Sequence, residues 1–126
     1  MTNDIAPIKS VPVKPKIFNL NDYSKLPSAD ILDRGLKKET VALFGVKLEF
    51  DEVTGKISKH YYPDTKQGKL TGYEVRSVPD KLFSRVGDMR GAFDLWGREI
   101  ALTHGSNKRF ITEGRCAVMA LYQCLV

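Results

Sequence analysis

The chain has 126 residues, 42% of them hydrophobic and 28% charged, which supplies one modest core and not two. Twenty Lys and Arg against fifteen Asp and Glu give a formal net charge of +5, compatible with a polyanionic partner. No run approaches the roughly twenty apolar residues of a membrane helix, and MTNDIAPIKS lacks the apolar core of a signal peptide.

Residues 1–27 hold Pro7, Pro12, Pro15 and Pro27 together with Lys9, Lys14, Lys16 and Lys25, and read as a flexible arm. Ser28 begins a helical stretch, with Ser28 or Asp30 as its cap, Ile31 and Leu32 facing inward and Gly35 as its stop. Residues 37–44 form a second short helix anchored by Leu36, Val41 and Phe44. Gly45 sits where a left-handed cap is expected. Residues 46–50 then alternate Val46, Leu48 and Phe50 with Lys47 and Glu49, the period of a half-buried strand.

After a turn at 51–55, residues 56–62 place Ile57 and Tyr61 on one face and Lys56, His60 and Tyr62 on the other. A turn at 63–68 leads to a third strand over 69–76, with Tyr73 and Val75 opposite Glu74 and Arg76. Three strands with short loops make an antiparallel meander. Residues 77–107 show no clear period and carry Gly87, Gly91, Gly97 and Gly105, which suggests a loop with short helical pieces. A strand over 108–112, a Glu113-Gly114 corner and a helix over 115–126 complete the reading. Cys116 and Cys124, eight apart on that helix, lie about 12 Å from each other. That is too far for a disulfide, and two thiols alone make no zinc site. A reducing cytoplasm is the expected compartment.

Two groups of residues suggest chemistry. Glu113 at a strand end is a candidate general base or Mg²⁺ ligand, with a helix-start acid facing the helix dipole as the alternative. Arg76, Lys81, Arg85 and Arg90, with Phe83 among them, suit phosphates and stacked bases. A solvated surface diluted by Asp80 and Asp88 is the alternative there. Trp96 reads as core or interface, His60 and His104 have no ligand spacing, and no Walker-type phosphate loop is present.

Taken in order, several segments resemble one family. Arg34-Gly35-Leu36, Glu39-Thr40 and Phe44-Gly45 look like the start of a primase RNA-polymerase domain. Tyr62-Pro63-Asp64 and the stretch from Gly68 through Gly72 to Arg76 are similar to its β-meander. Asp80-Lys81-Leu82-Phe83 and Gly87 match its basic loop, and Leu95-Trp96-Gly97 resembles a Leu-Phe-Gly element. Phe110-Ile111-Thr112-Glu113-Gly114 is similar to the first strand and acidic corner of the toprim fold. The family is the bifunctional primase–helicase of short-tailed phages, related to the mitochondrial helicase Twinkle, and the resemblance covers roughly residues 28–124.

The resemblance implies an α+β fold: a short helical hairpin, a three-stranded antiparallel meander, and the first strand and helix of an incomplete toprim α/β core. It divides the chain into an arm (1–27), an N-terminal subdomain of the primase RNA-polymerase domain (28–107) and the start of a truncated toprim subdomain (108–126). The implied activity is nucleotidyl transfer, the synthesis of RNA primers on single-stranded DNA from nucleoside triphosphates with Mg²⁺, in the cytoplasm of a phage-infected bacterial host. Glu113 would be the first catalytic acid and a metal ligand, and Arg76 and Lys81 would contact template or nucleotide phosphates.

The chain departs from the pattern where the family often shows Glu-Gly-Glu-x-Asp, because Arg115 and Ala117 replace two acids. The Asp-x-Asp strand, the zinc module and the helicase have no counterpart in it. One glutamate does not hold a Mg²⁺ ion that needs several oxygen ligands. The expectation is therefore a primase fragment, inactive alone and completed by a complementing primase or helicase chain, or the product of a truncated gene. The alternative is a non-catalytic module that binds single-stranded DNA or a replisome subunit.

Overall fold

The computed structural model describes residues 20–88, 90–103 and 110–125. Its elements are α1 (Leu20–Ser24), a 3-10 turn (Leu32–Arg34), α2 (Lys38–Leu43), β1 (Lys47–Phe50), β2 (Ile57–Lys66), β3 (Lys69–Ser77), β4 (Leu82–Gly87), α3 (Arg98–Thr103) and α4 (Arg115–Leu125). The four strands form one antiparallel sheet in the order β1-β2-β3-β4, so the fold is α+β with an extended meander.

The helical hairpin is tighter than its sequence suggests. Ile31 and Leu36 exchange two backbone hydrogen bonds (2.9 and 3.1 Å) around the left-handed Gly35, φ 67°. That leaves room for one 3-10 turn. Asp30 does not cap its own segment; its Oδ1 accepts from the Lys38 amide at 2.6 Å and so stabilises the start of α2. Ser28 donates to the Val46 carbonyl at 2.7 Å, tying the hairpin to the β1 approach. Gly45 adopts φ 73°, the left-handed stop expected after α2.

β2 runs four residues past its expected end, through Pro63. The register explains why the proline is tolerated. Lys47 opposes Tyr61, so from Tyr62 onward β2 pairs with β3 alone and the missing amide falls on the unpaired side. Residues 93–96 partly fill that side: Trp96 Nε1 donates to the Pro63 carbonyl at 2.7 Å and the Asp94 amide donates to the Thr65 carbonyl at 2.9 Å. The turn shrinks to Gln67 and Gly68, both with positive φ (53° and 80°), as a two-residue hairpin requires. Asp94 clamps this turn, accepting from Thr65 Oγ1 and from the amides of Gln67 and Gly68.

β4 lies within the stretch expected to be loop. Along it Leu82 and Phe83 are exposed and Arg85 is polar, so an edge strand carries no clean alternation. At the far end of the β3–β4 ladder Gly72 opposes Gly87. A Cβ on Gly72 would fall 2.3 Å from the Val86 carbonyl oxygen.

Both faces of the sheet are covered. Consecutive residues point to opposite faces, and Tyr61 and Tyr62 are both buried. Tyr61, Tyr73 and Val75 pack against Leu20, Tyr23 and Leu26. α1 therefore belongs to the packed fold although its sequence lies in the expected arm; residues 1–19 lie outside the described residues. Tyr62 joins Ile31, Leu36, Val41, Phe44, Val46, Leu48 and Met119 in the larger cluster, which brings α4 into the same core as the hairpin. Gln123 fastens α4 further, accepting from the Lys37 amide and donating to the Gly35 carbonyl, both at 2.8 Å.

The expected strand over 108–112 is not seen in its described part. Residues 110–112 belong to no strand, and Phe110 and Ile111 are largely exposed; Lys108 and Arg109 lie outside the described residues. The following helix is present. The tight Gly72–Gly87 crossing predicts that Gly72→Ala lowers stability by about 1–3 kcal/mol through overpacking, read as a reduced urea midpoint.

Candidate nucleic-acid interface

The sheet face toward α4 is the polar one. Alternation brings His60, Tyr62 and Asp64 of β2 beside Glu74 and Arg76 of β3 and Phe83 and Arg85 of β4. Asp64 is buried, 4% exposed, and its two oxygens hold two guanidinium groups. Arg85 Nη1 donates to Oδ2 at 2.5 Å and Arg115 Nη2 to Oδ1 at 3.0 Å. Arg115 also pairs with Glu74 through its other terminal nitrogen.

Aromatic rings frame these cations. Arg115 lies 5.7 Å from the Tyr62 ring and 6.0 Å from the Trp96 ring. Arg85 and Lys66 both lie over Phe93, at 4.6 and 5.0 Å. Arg76 lies 5.9 Å from the exposed Phe83 ring. Its Nε is buried without a hydrogen-bond partner, as is that of Arg115. Three arginines (76, 85, 115) against two carboxylates (64, 74) leave the face with one net positive charge.

A buried chain of polar atoms lies beneath. The Tyr62 hydroxyl sits 2.7 Å from His60 Nδ1 and 3.5 Å from Cys116 Sγ. Burial, and then the positive charge of Arg76, pushes the His60 pKa down to about 4. A neutral imidazole can accept the Tyr62 proton at Nδ1. Burial and the Cys116 contact raise the Tyr62 pKa, so the hydroxyl stays protonated.

The sequence-derived candidates are thus distributed. Arg76 and Arg85 are diagonal neighbours on this face. Lys81, left-handed at φ 57°, occupies the turn before β4, whereas Arg90 follows its end and is 94% exposed, 3.8 Å from Asp88. The six residues of β4 separate them by about 20 Å. Glu113 is exposed immediately before α4, two residues from Arg115. Among the described residues no group of three His, Cys, Asp or Glu side chains could hold a metal ion. Asp64 and Glu74 are already bound to Arg115, so the described residues of this chain do not fit a Mg²⁺ ion by themselves.

The sequence reading did not single out Asp64, Glu74, Phe93 or Arg115 as parts of one cluster. Polar residues two apart on strands otherwise rich in tyrosine were the available signal. Trp96, expected in the core or at an interface, stacks on Phe44 at 5.2 Å. No described helix is long and apolar enough to cross a membrane. Comparison with known proteins finds no matching family model, no matching curated protein and no matching solved structure.

Two outcomes follow from this geometry. Asp64→Ala removes the carboxylate partner of Arg85 and one of the two partners of Arg115, and is expected to cost about 3–5 kcal/mol, measured by urea unfolding. The folded His60 pKa near 4 lies below an unfolded value of about 6.5. The unfolded state therefore binds more protons between those values. His60 should contribute stability fully above pH about 6.5 and lose it as pH falls toward about 4, a slope that His60→Gln removes.

Proposed function

We propose that this chain is a DNA-replication protein, the N-terminal part of a phage-type primase domain, whose own contribution is to hold single-stranded nucleic acid on the α4-facing side of its sheet. The observation that carries the binding reading is the Arg76–Phe83 pair on adjacent strands, a guanidinium beside an exposed ring. A cation for the phosphate and a π-face for the base are the two elements of sequence-tolerant single-strand binding. Lys81, at the turn beside Phe83, adds a second phosphate contact in this reading. Arg85 is held and neutralised by Asp64, so in this reading Arg76 carries the positive potential of the face and Arg90 extends it beyond β4.

Support for the primase assignment is the ordered resemblance of segments from Arg34 to Gly114. Primer synthesis from nucleoside triphosphates is proposed only for an assembly in which a complementing primase or helicase chain supplies further carboxylates. Glu113 would then join them as a Mg²⁺ ligand and catalytic acid. The chain alone is proposed to be inactive, because Arg115 stands where the family often places an acid and neutralises Asp64 and Glu74.

That same pair of salt bridges favours the second reading, a non-catalytic module for single-stranded DNA or a replisome subunit. A primer-synthesis assay with Mg²⁺ and all four nucleoside triphosphates, run with the chain alone and with candidate complementing chains, separates the two. For either, Phe83→Ala should weaken binding of a single-stranded oligonucleotide by about 1–3 kcal/mol in fluorescence anisotropy. Affinity should also fall steeply with salt. Binding indifferent to both would remove the nucleic-acid reading.

A further inference from the structure

Among the described residues, the sheet is bonded along one flank and bare along the other. Outside β1 the Leu48 amide donates to the Pro27 carbonyl at 2.8 Å, and Ser28 Oγ donates to the Val46 carbonyl. Past β1 the same side of β2 receives Asp94 and Trp96. β4 is the last strand on the opposite flank, and no backbone hydrogen bond from another described segment reaches its outer side. The Asp88 amide bonds to Thr71 at 3.0 Å, which sets the alternation of the β3–β4 ladder. Leu82, Ser84 and Val86 turn their peptide groups toward β3, and Phe83 and Arg85 turn theirs outward. The usual protections of an exposed edge are missing from this strand. Its register with β3 is unbroken, whereas both other ladders are interrupted by a shift. Leu82 and Phe83 are 65% and 61% exposed, and the cation within the strand, Arg85, is tied to Asp64.

We propose that β4 pairs antiparallel with β4 of a second copy of this chain, about a two-fold axis that passes beside Ser84. The strand is self-complementary in that register. Phe83 and the partner's Arg85 exchange both of their outward backbone hydrogen bonds, and Arg85 does the same with the partner's Phe83. On the other sheet face Leu82 lies against the partner's Val86, an apolar cross-strand pair. Moving the axis to Arg85 would set Leu82 opposite Asp88. Moving it to Phe83 would set Leu82 opposite Ser84, and Arg85 opposite Lys81. Of the three, the Ser84 register alone gives Leu82 an apolar partner. The axis stands perpendicular to the sheet and uses the same edge of both copies, so the assembly closes at two. A pairing of six residues, about 20 Å long, falls at the small end of specific interfaces, and the dimer is reversible. The formal charge of +5 on each copy opposes the approach, so salt strengthens the pairing. The bonds are made by backbone groups, and the proposal does not depend on nucleic-acid binding.

The test is sedimentation of the full chain without nucleic acid, from about 10 μM to about 1 mM, the range of weak interfaces. A monomer–dimer equilibrium that tightens with added salt is expected, the reverse of the salt effect on oligonucleotide binding. Ser84 is exposed and lies on the sheet face opposite Phe83. Ser84→Glu sets two carboxylates across the axis and should weaken the dimer by about tenfold or more, with the melting temperature of the dilute chain unchanged. Ser84→Cys tests the register without adding charge. Directly opposed residues at such a site have Cα atoms about 4.5 Å apart, within disulfide range. In a Cys124→Ser background, which removes the exposed native thiol, oxidised glutathione should join Ser84→Cys chains into covalent dimers. Leu82→Cys should stay largely uncrosslinked. A monomer at every concentration overturns the proposal, as does a dimer indifferent to Ser84→Glu. So does crosslinking through Leu82→Cys equal to that through Ser84→Cys, or assembly that continues beyond two chains. Loss of oligonucleotide binding alone counts against the proposed function and leaves the dimer intact.

Discussion

The Asp64 carboxylate, buried and shared between Arg85 and Arg115, is the constraint on which the arrangement of this molecule rests. Removing a charge from water costs several kcal/mol, and the cost is offset only if partners arrive with good geometry. Here they come from two separate elements, β4 and α4. The apolar core gives α4 a reason to lie on the sheet, since Met119 is fully buried there. Apolar contact is non-directional, however. The Arg115 bridges to Asp64 and Glu74 fix where the helix begins, and Gln123 fixes where it ends.

This interaction also shapes the surface chemistry. A guanidinium between two carboxylates acts as a cation that belongs to the chain. It satisfies acidic groups that would otherwise attract a mobile ion, and it leaves the uncompensated charge of the face on Arg76. The Phe83 ring lies beside that charge on the neighbouring strand. Positive potential, an accessible ring and little acidic competition then coincide near one edge of the sheet.

Much of the fold is legible in the sequence where local chemistry is strong. The left-handed glycines at 35 and 45 and the alternation through Val46, Leu48 and Phe50 read directly as structure. What is lost lies where tertiary context outweighs local pattern. Pro63 looks like a turn residue because the sequence does not say that β1 has ended opposite Tyr61. β4 is obscured because an edge strand need not alternate. Phe110 and Ile111 look like a strand by composition, yet the described backbone gives them no partner. The cluster around Asp64 joins residues 51 positions apart, a separation that no spacing rule covers. Arg76 and Arg85 were legible as cations, but not the fact that Arg85 would be neutralised and Arg76 left with an unpaired nitrogen.

The segment 93–96 has one more consequence. Trp96 Nε1 and the Asp94 amide donate to the Pro63 and Thr65 carbonyls of β2, on a side where no strand pairs with it beyond Tyr61 among the described residues. An irregular stretch thereby caps a raw sheet margin that would otherwise invite another extended chain to add on. Were this cover peeled away, molecules would have a template for zipping together side by side, so the Trp96 indole and the Asp94 amide also guard the protein against fibrous self-association.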